Sequence, residues 1–297
     1  MEFEDHYSVL AESYARSRPR YPEELFTWLA SILDRRELAW DVGTGSGQVA
    51  QALTAVVDRI VATDASADQL ARATRVDGVE YRQEPAHHVS LADRSVDLIT
   101  AGAAAHWFDL DRFYREVQRV GRNGAVIALF SYGPRDFADA CTQLLGNPVV
   151  EHLNEDLLGP LWPPRIERVH DRYAALPFPF DEIAAPSFSM RATWNLHELI
   201  AFLETWSAAQ RYLEQFGKRA TGEIANELAE TWGDPDMRRE IAFPLFVRAG
   251  FLECGSRTPN SRRQSQPRPQ SAQLPLRQRD GSAVQLREIA HDRQAET

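Results

Sequence analysis

Short apolar runs recur through the first half of the chain, with stretches of helical spacing between them. Residues 38–42, 59–63, 79–81, 96–100 and 125–130 read as five strands. Pro22 suits the first turn of a helix and Glu23 and Glu24 complement its dipole, while Leu25, Phe26, Leu29, Ile32 and Leu33 form one apolar face. Val49, Ala50 and Leu53 start a helix after strand one, and Ser66 opens another that carries Gln69, Leu70 and Ala73. Asp109 caps a helix whose apolar positions Phe113, Tyr114, Val117 and Val120 have helical spacing. Asn123-Gly124 is then expected to turn the chain into strand five. Strands alternating with helices predict an α/β fold on a parallel sheet.

The pattern changes after residue 130. From 131 to 195 periodicity weakens and Pro134, Pro148, Pro160, Pro163, Pro164, Pro177, Pro179 and Pro186 accumulate. Trp162, Tyr173, Phe178 and Phe180 in the same stretch predict a folded lid rather than a linker. Asn195 with Glu198 resembles a capping box, and Leu199, Leu203 and Trp206 share the face of the helix beyond. Residues 223–232 read as a further helix and 240–247 as a final strand, where Pro244 favours an edge or a bulge. After Gly255 Arg, Gln, Ser and Pro dominate, with too little apolar surface to offset ordering entropy. The expected division is 1–36 as a helical cap, 37–135 as a ligand-binding core, and 136–195 as an inserted lid. Residues 196–255 complete the fold, and 256–297 form a disordered tail without a catalytic role.

Composition narrows the class. With 297 residues, 43% hydrophobic and 26% charged, the chain has room for one large α/β domain. Cys141 and Cys254 are its only cysteines, which excludes a disulfide framework and a four-ligand zinc site. The formal charge is −10, and residues 256–297 carry eight Arg against four acidic residues, so the rest holds −14. A domain that acidic is a poor match for nucleic-acid phosphates, although a basic tail leaves that contact open. The acidic start and the absence of long apolar runs point to a cytoplasmic protein without a membrane span.

The candidate chemistry centres on Asp41-Val42-Gly43-Thr44-Gly45-Ser46-Gly47, between strand one and its helix. Without Cβ, Gly43 and Gly45 let a ligand lie against the main chain, and Gly47 allows close packing of helix and strand. Gln48-Val49 stands where a P-loop needs Lys-Ser/Thr, and the glycine spacing differs from the G-x-G-x-x-G of dinucleotide sites. Asp64, at the tip of strand two, suits the two hydroxyls of a ribose. Such sheets bind ligands beyond the C-terminal strand ends, where Gly43, Asp64, Ala86 and Ala101 fall.

Together with Arg18-Pro19-Arg20-Tyr21-Pro22, His106-Trp107-Phe108-Asp109 and Thr205-Trp206-Ser207, this pattern resembles the class I S-adenosylmethionine (SAM) dependent methyltransferases over roughly residues 1–250. The small-molecule branch that includes trans-aconitate methyltransferase-like proteins is the most similar. The resemblance implies a Rossmann-like sheet, SAM as cofactor, no metal and a small-molecule acceptor. Asp41, Gly43, Thr44, Gly45 and Gly47 would hold the methionine part and ribose, and Asp64 both ribose hydroxyls. Ala65 would lie on adenine and Ala86-His87 at its amino edge, in a stretch (Glu84 to His88) that leaves the serving side chain open. The Ala101 backbone would accept from the cofactor's amino group, and Tyr14, Arg18 and Tyr21 would lie over its mouth. His106 would donate to an acceptor carboxylate or act as base, Trp107 would form an apolar wall or help hold the sulfonium's methyl end, and Arg18 would pair with a carboxylate.

Plainer roles compete for the same residues. Asp41 can fix its own loop, His87 and His88 can be solvated turn residues, and His106 and Trp107 can pack the base of a helix. The expected reaction is O-methylation of a carboxylic acid. C- or N-methylation of another metabolite, an NAD-dependent oxidoreductase and a non-catalytic cofactor-binding module are the alternatives.

Overall fold

Pro22 is the N-cap of the first described helix, α1 (Glu23–Ile32), which buries Leu25, Phe26, Leu29 and Ala30. The computed structural model describes residues 19–252, which lie within one compact unit. Tyr14, Arg18, Cys254 and the whole segment 256–297 fall outside the described residues.

The chain then alternates: β1 (Leu38–Val42), α2 (Gln48–Leu53), β2 (Arg59–Asp64), α3 (Ala67–Ala71), β3 (Val79–Gln83), β4 (Val96–Gly102), α4 (Leu110–Val120) and β5 (Gly121–Ser131). Helices α5 (Pro134–Leu145), α6 (Val149–His152) and α7 (Glu167–His170) follow, and then strands β6 (Asp181–Ile183) and β7 (Phe188–Trp194). The described chain closes with α8 (Leu196–Leu203), α9 (Ser207–Phe216), α10 (Ala225–Trp232) and β8 (Arg239–Phe251). The sheet order is β3-β2-β1-β4-β5-β8-β6, with β7 also paired to β8. Strands β1 to β5 run parallel, and β8 is antiparallel to β5, β6 and β7. Strand order reverses between β1 and β4, which opens a crevice at their C-terminal ends.

Both faces of the sheet are covered, which is why its inner strands are apolar at consecutive positions. Trp40, Val61, Ile99 and Ile127 pack with Phe113, Val117 and Val120 of α4 on one side. Ala39, Ile60, Leu98 and Val126 pack with α1, α2 and α5 on the other.

Four expectations change. Asn123-Gly124 does not end a helix: α4 runs straight into β5, and the pair lies in a bulge where Asp97 alone of β4 stands opposite residues 122–125. The left-handed Gly124 (φ +79°) permits that bulge, and Arg122 within it pairs with Asp97 at 2.7 Å and Glu37 at 2.9 Å. Strand β4 extends to Gly102, so Ala101 is inside the strand, paired with Leu129. The helix capped by Asn195 ends at Leu203, and Trp206 is instead the N-cap of α9. Within 136–195, β6 and β7 join the sheet through β8, so only the first part of that segment is helical cover. Pro244 sits opposite Ser189, in the half of β8 that has β7 as its one strand neighbour.

Candidate active site

Three glycines shape the turn after β1. Gly43, Gly45 and Gly47 have φ of +67°, +57° and +85°, a region L side chains rarely occupy. A Cβ on Gly43 would stand 2.7 Å from Ala104 Cβ, and one on Gly47 would collide with the Tyr81 ring. These two glycines therefore serve packing. At Gly45 the nearest atom to a Cβ would be Gln69 Oε1, 3.8 Å away, so here the main chain is open.

Two carboxylates hold the loop. Asp41 is fully buried and accepts from Thr44 Oγ1 at 2.6 Å and Thr100 Oγ1 at 2.8 Å. Burial pushes its carboxyl up to about 6. Asp41 thus acts on the loop from behind instead of facing the crevice. Asp64, at the tip of β2, accepts from Gly45 N and from Ser66 N, both at 2.9 Å, and stays partly exposed. Each of its oxygens keeps a lone pair for a further donor.

Beyond β2 and β3 the rim is mixed. Ala65 is exposed, and its carbonyl accepts from Gln83 Nε2 at 3.3 Å. Glu84 turns away, taking Ser90 N at 3.0 Å and the Ser90 hydroxyl. Ala86 and His87 are half-buried beside a turn closed by His88 N to Pro85 O at 3.1 Å. Gln83, unread in the sequence, is therefore the amide-bearing side chain that reaches the Ala65 edge.

Past β4 the backbone is held in an uncommon conformation. Ala101 lies one residue beyond Thr100, the last to pair with β1. Ala103 is left-handed without being glycine (φ +51°) and donates to Phe130 O at 2.8 Å. Such non-glycine strain clusters at functional sites. Tyr21 packs edge-on to Phe130 at 5.1 Å, and its hydroxyl lies where a Cβ on Gly102 would come within 3.1 Å. Pro19 O accepts from Gln48 Nε2 at 3.0 Å, so the N-terminal segment crosses the start of α2.

The turn after Ala103 carries His106, which is only 8% exposed, and Trp107, which is 45% exposed. His106 Nδ1 lies 2.9 Å from the Tyr173 hydroxyl, whose oxygen also meets the Ser131 side chain and the His106 backbone. A phenol that donates to Nδ1 leaves the neutral imidazole with its proton on Nε2. Burial, with Arg168 and Arg165 nearby, lowers the His106 pKa to about 4. Arg168 donates to His106 O at 3.2 Å and Arg165 to Trp107 O at 3.3 Å. Burial pushes the Tyr173 phenol well above its usual range, so it stays protonated.

His106, Trp107 and Ser131 open onto a cavity of about 230 Å³. Thr205, Trp206 and Ser207 line it too, so the turn between α8 and α9 joins the β4 and β5 ends in one site. Tyr173, Ser131, Arg165 and Arg168 carry no local sequence signal for this role; tertiary folding alone brings them to His106. Among the described residues no group of His, Cys, Asp or Glu could hold a metal, and no helix is long and apolar enough to cross a membrane.

An open main-chain cradle beside a half-open cavity, at the crevice of a doubly covered α/β sheet, is an arrangement suited to group transfer. The methyltransferase domain family matches residues 40–129, from β1 to β5. The solved structure of a protein assigned as a type II methyltransferase from Anaeromyxobacter dehalogenans is 38% identical, with a TM-score of 0.71, over 80% of this chain and 98% of that one. A methyltransferase-assigned protein of Dictyostelium discoideum is 28% identical over 251 residues, 83% of this chain and 94% of the relative. An uncharacterised methyltransferase of Mycobacterium tuberculosis is 36% identical over 122 residues, 39% of this chain and 48% of its own length. The chain belongs to the methyltransferase family.

Proposed function

We propose that this enzyme transfers a methyl group from SAM to a carboxylate oxygen of a small acid held in the cavity beside His106, in the cytoplasm and with no nucleic-acid partner. The observation that carries the acceptor is His106 itself. With a pKa near 4 the imidazole is a poor base at neutral pH, and with the Tyr173 phenol donating to Nδ1 it would present Nε2–H as a donor. A carboxylate is already ionised at that pH and needs a donor, not a base. The Arg165 and Arg168 charges that disfavour imidazolium make the potential there positive, which favours an anion.

The residues after β1 and β2 fit the donor. The open face of Gly45 and the spare lone pairs of Asp64 suit a ligand with an amino-acid end and a ribose. Gly43, Thr44, Gly45 and Gly47 would carry the methionyl end, with Asp41 steadying the loop. Asp64 would take the ribose hydroxyls, Ala65 the adenine face, and Ala86, His87 and Gln83 its rim. The Ala101 main chain would accept from the amino group; Tyr14 and Arg18 lie outside the described residues. Bound SAM supplies a methyl carbon on a sulfonium leaving group. The protein aligns the acceptor oxygen, shields it from water behind Trp107 and holds the carboxylate through Nε2–H. Alignment of this kind contributes about 7–11 kcal/mol in favourable cases.

The test is incubation of the full chain with ¹³C-methyl SAM and a metabolite extract, followed by NMR of the labelled product. A methyl-ester signal is expected. Label on nitrogen or carbon would overturn the acceptor assignment, and no transfer at all would favour a non-catalytic module.

A further inference from the structure

We infer that the acid methylated here is a monocarboxylic acid with a flat aromatic body; this rests on the carboxylate O-methylation proposed above. An apolar cavity of roughly 150 Å³ is enough for benzene. The cavity beside His106, at about 230 Å³, therefore accommodates one ring and a short arm bearing a carboxyl group.

The walls are rings, and they are locked. Phe137, Trp162, Phe202 and Trp206 all line the cavity. Trp162 and Trp206 lie 5.7 Å apart, Phe137 meets Trp206 at 5.9 Å and 87°, and Phe137 meets Phe202 at 4.9 Å. The Trp162 indole N–H is committed to Asn154 Oδ1 at 3.2 Å, and the Asn154 amide in turn donates to Glu155 at 2.8 Å. Trp162 is partly exposed and Trp206 is 7% exposed, so these two indoles offer the surface that a flat aromatic guest can meet, while the buried Phe137 and Phe202 hold them from behind with little side-chain ordering left to lose.

The polar groups of the lining suffice for a single anion. His106, Thr205 and Ser207 can donate to the two oxygens of one carboxylate. A second or third carboxylate on the same molecule would lie against aromatic faces, whose quadrupole is negative, and would lose its hydration without a counter-charge among the described lining residues.

The experiment compares methyl-ester formation by the full chain on phenylacetate, cinnamate, hexanoate and the tricarboxylate trans-aconitate. Calorimetric binding of each acid without SAM runs in parallel. The aryl acids should exceed trans-aconitate in kcat/KM by at least about 100-fold and hexanoate by about tenfold. Trp162→Leu and Trp206→Leu should each weaken cinnamate binding about tenfold and shrink its advantage over hexanoate. Should Trp206→Leu fail to fold, Trp162→Leu, at a partly exposed wall, decides. Equal or faster esterification of trans-aconitate, or an aryl preference untouched by Trp162→Leu, overturns the inference and leaves carboxylate methylation standing. Label on an amine, carbon or phenol and on no acid overturns both.

Discussion

The His106 imidazole owes its protonation state to residues distant in sequence. Its identity as a candidate is legible from His-Trp-Phe just after an apolar strand, but its state is not. Tyr173, which meets Nδ1, is 67 positions away and reaches it only because helices and loops after β5 fold back over the β4 end. Tyr173→Phe leaves Nδ1 without that partner and frees the imidazole to exchange tautomers. Turnover should fall about tenfold with SAM affinity unchanged, and ¹⁵N NMR should show the imidazole leaving a single Nε2–H state. Unchanged turnover would mean that Tyr173 only packs. Asp64 stands out in the sequence as an acid that closes an apolar strand beside a glycine turn, and in the fold it accepts from Gly45 N and Ser66 N. Asp64→Ala should weaken SAM binding at least about tenfold by calorimetry. Near-parental affinity would contradict the ribose assignment.

Elements were readable in proportion to how local their causes are. β1, β2, β4 and the core of β5 are buried on both faces, so each appears as a continuous apolar run, and the caps at Ser66, Asp109 and Asn195 bond as their spacing predicts. β7 is different. Phe188, Met190, Ala192 and Trp194 alternate with Ser189, Arg191 and Thr193, a strand signal that the weak periodicity of 131–195 hides, and its pairing with β8 is non-local. The bulge at Asn123-Gly124 faces Asp97 on the neighbouring strand, the partner of Arg122, and no window around the Asn-Gly pair contains that residue. The turn after β1 and the turn after β4 are likewise one unit, pressed together at Gly43 and Ala104. Gly43→Ala should cost about 1–3 kcal/mol for the left-handed backbone and a similar amount for the collision, read as a lower denaturation midpoint. It should also displace His106 and lower turnover. A midpoint and turnover equal to the parent's would show the two turns to be independent.

At the scale of the whole molecule, two buried groups pull stability in opposite directions with pH. Asp41 titrates near 6 when folded against 3.8 unfolded, so the folded chain keeps its proton longer; that contribution is present at low pH and lost as pH rises from about 4 to about 6. His106 titrates near 4 when folded against 6.5 unfolded, so its contribution is present above about 6.5 and lost as pH falls toward about 4. Each spans about 3 kcal/mol at most. Relative to the parent, Asp41→Asn should gain stability as pH rises through that window, and His106→Gln should gain as pH falls, measured by urea denaturation at several pH values. Parallel curves for all three proteins would contradict the burial of both groups. The same two groups stand one behind the glycine loop and one in the cavity beside it, the two places that the proposed reaction has to join. The most direct test of that joining is a crystal structure of the full chain soaked with S-adenosylhomocysteine. The ligand should lie along Gly43 to Gly47 with its ribose hydroxyls on Asp64 and its sulfur facing the cavity at His106. The ligand bound elsewhere, or with its sulfur turned from that cavity, would contradict the account.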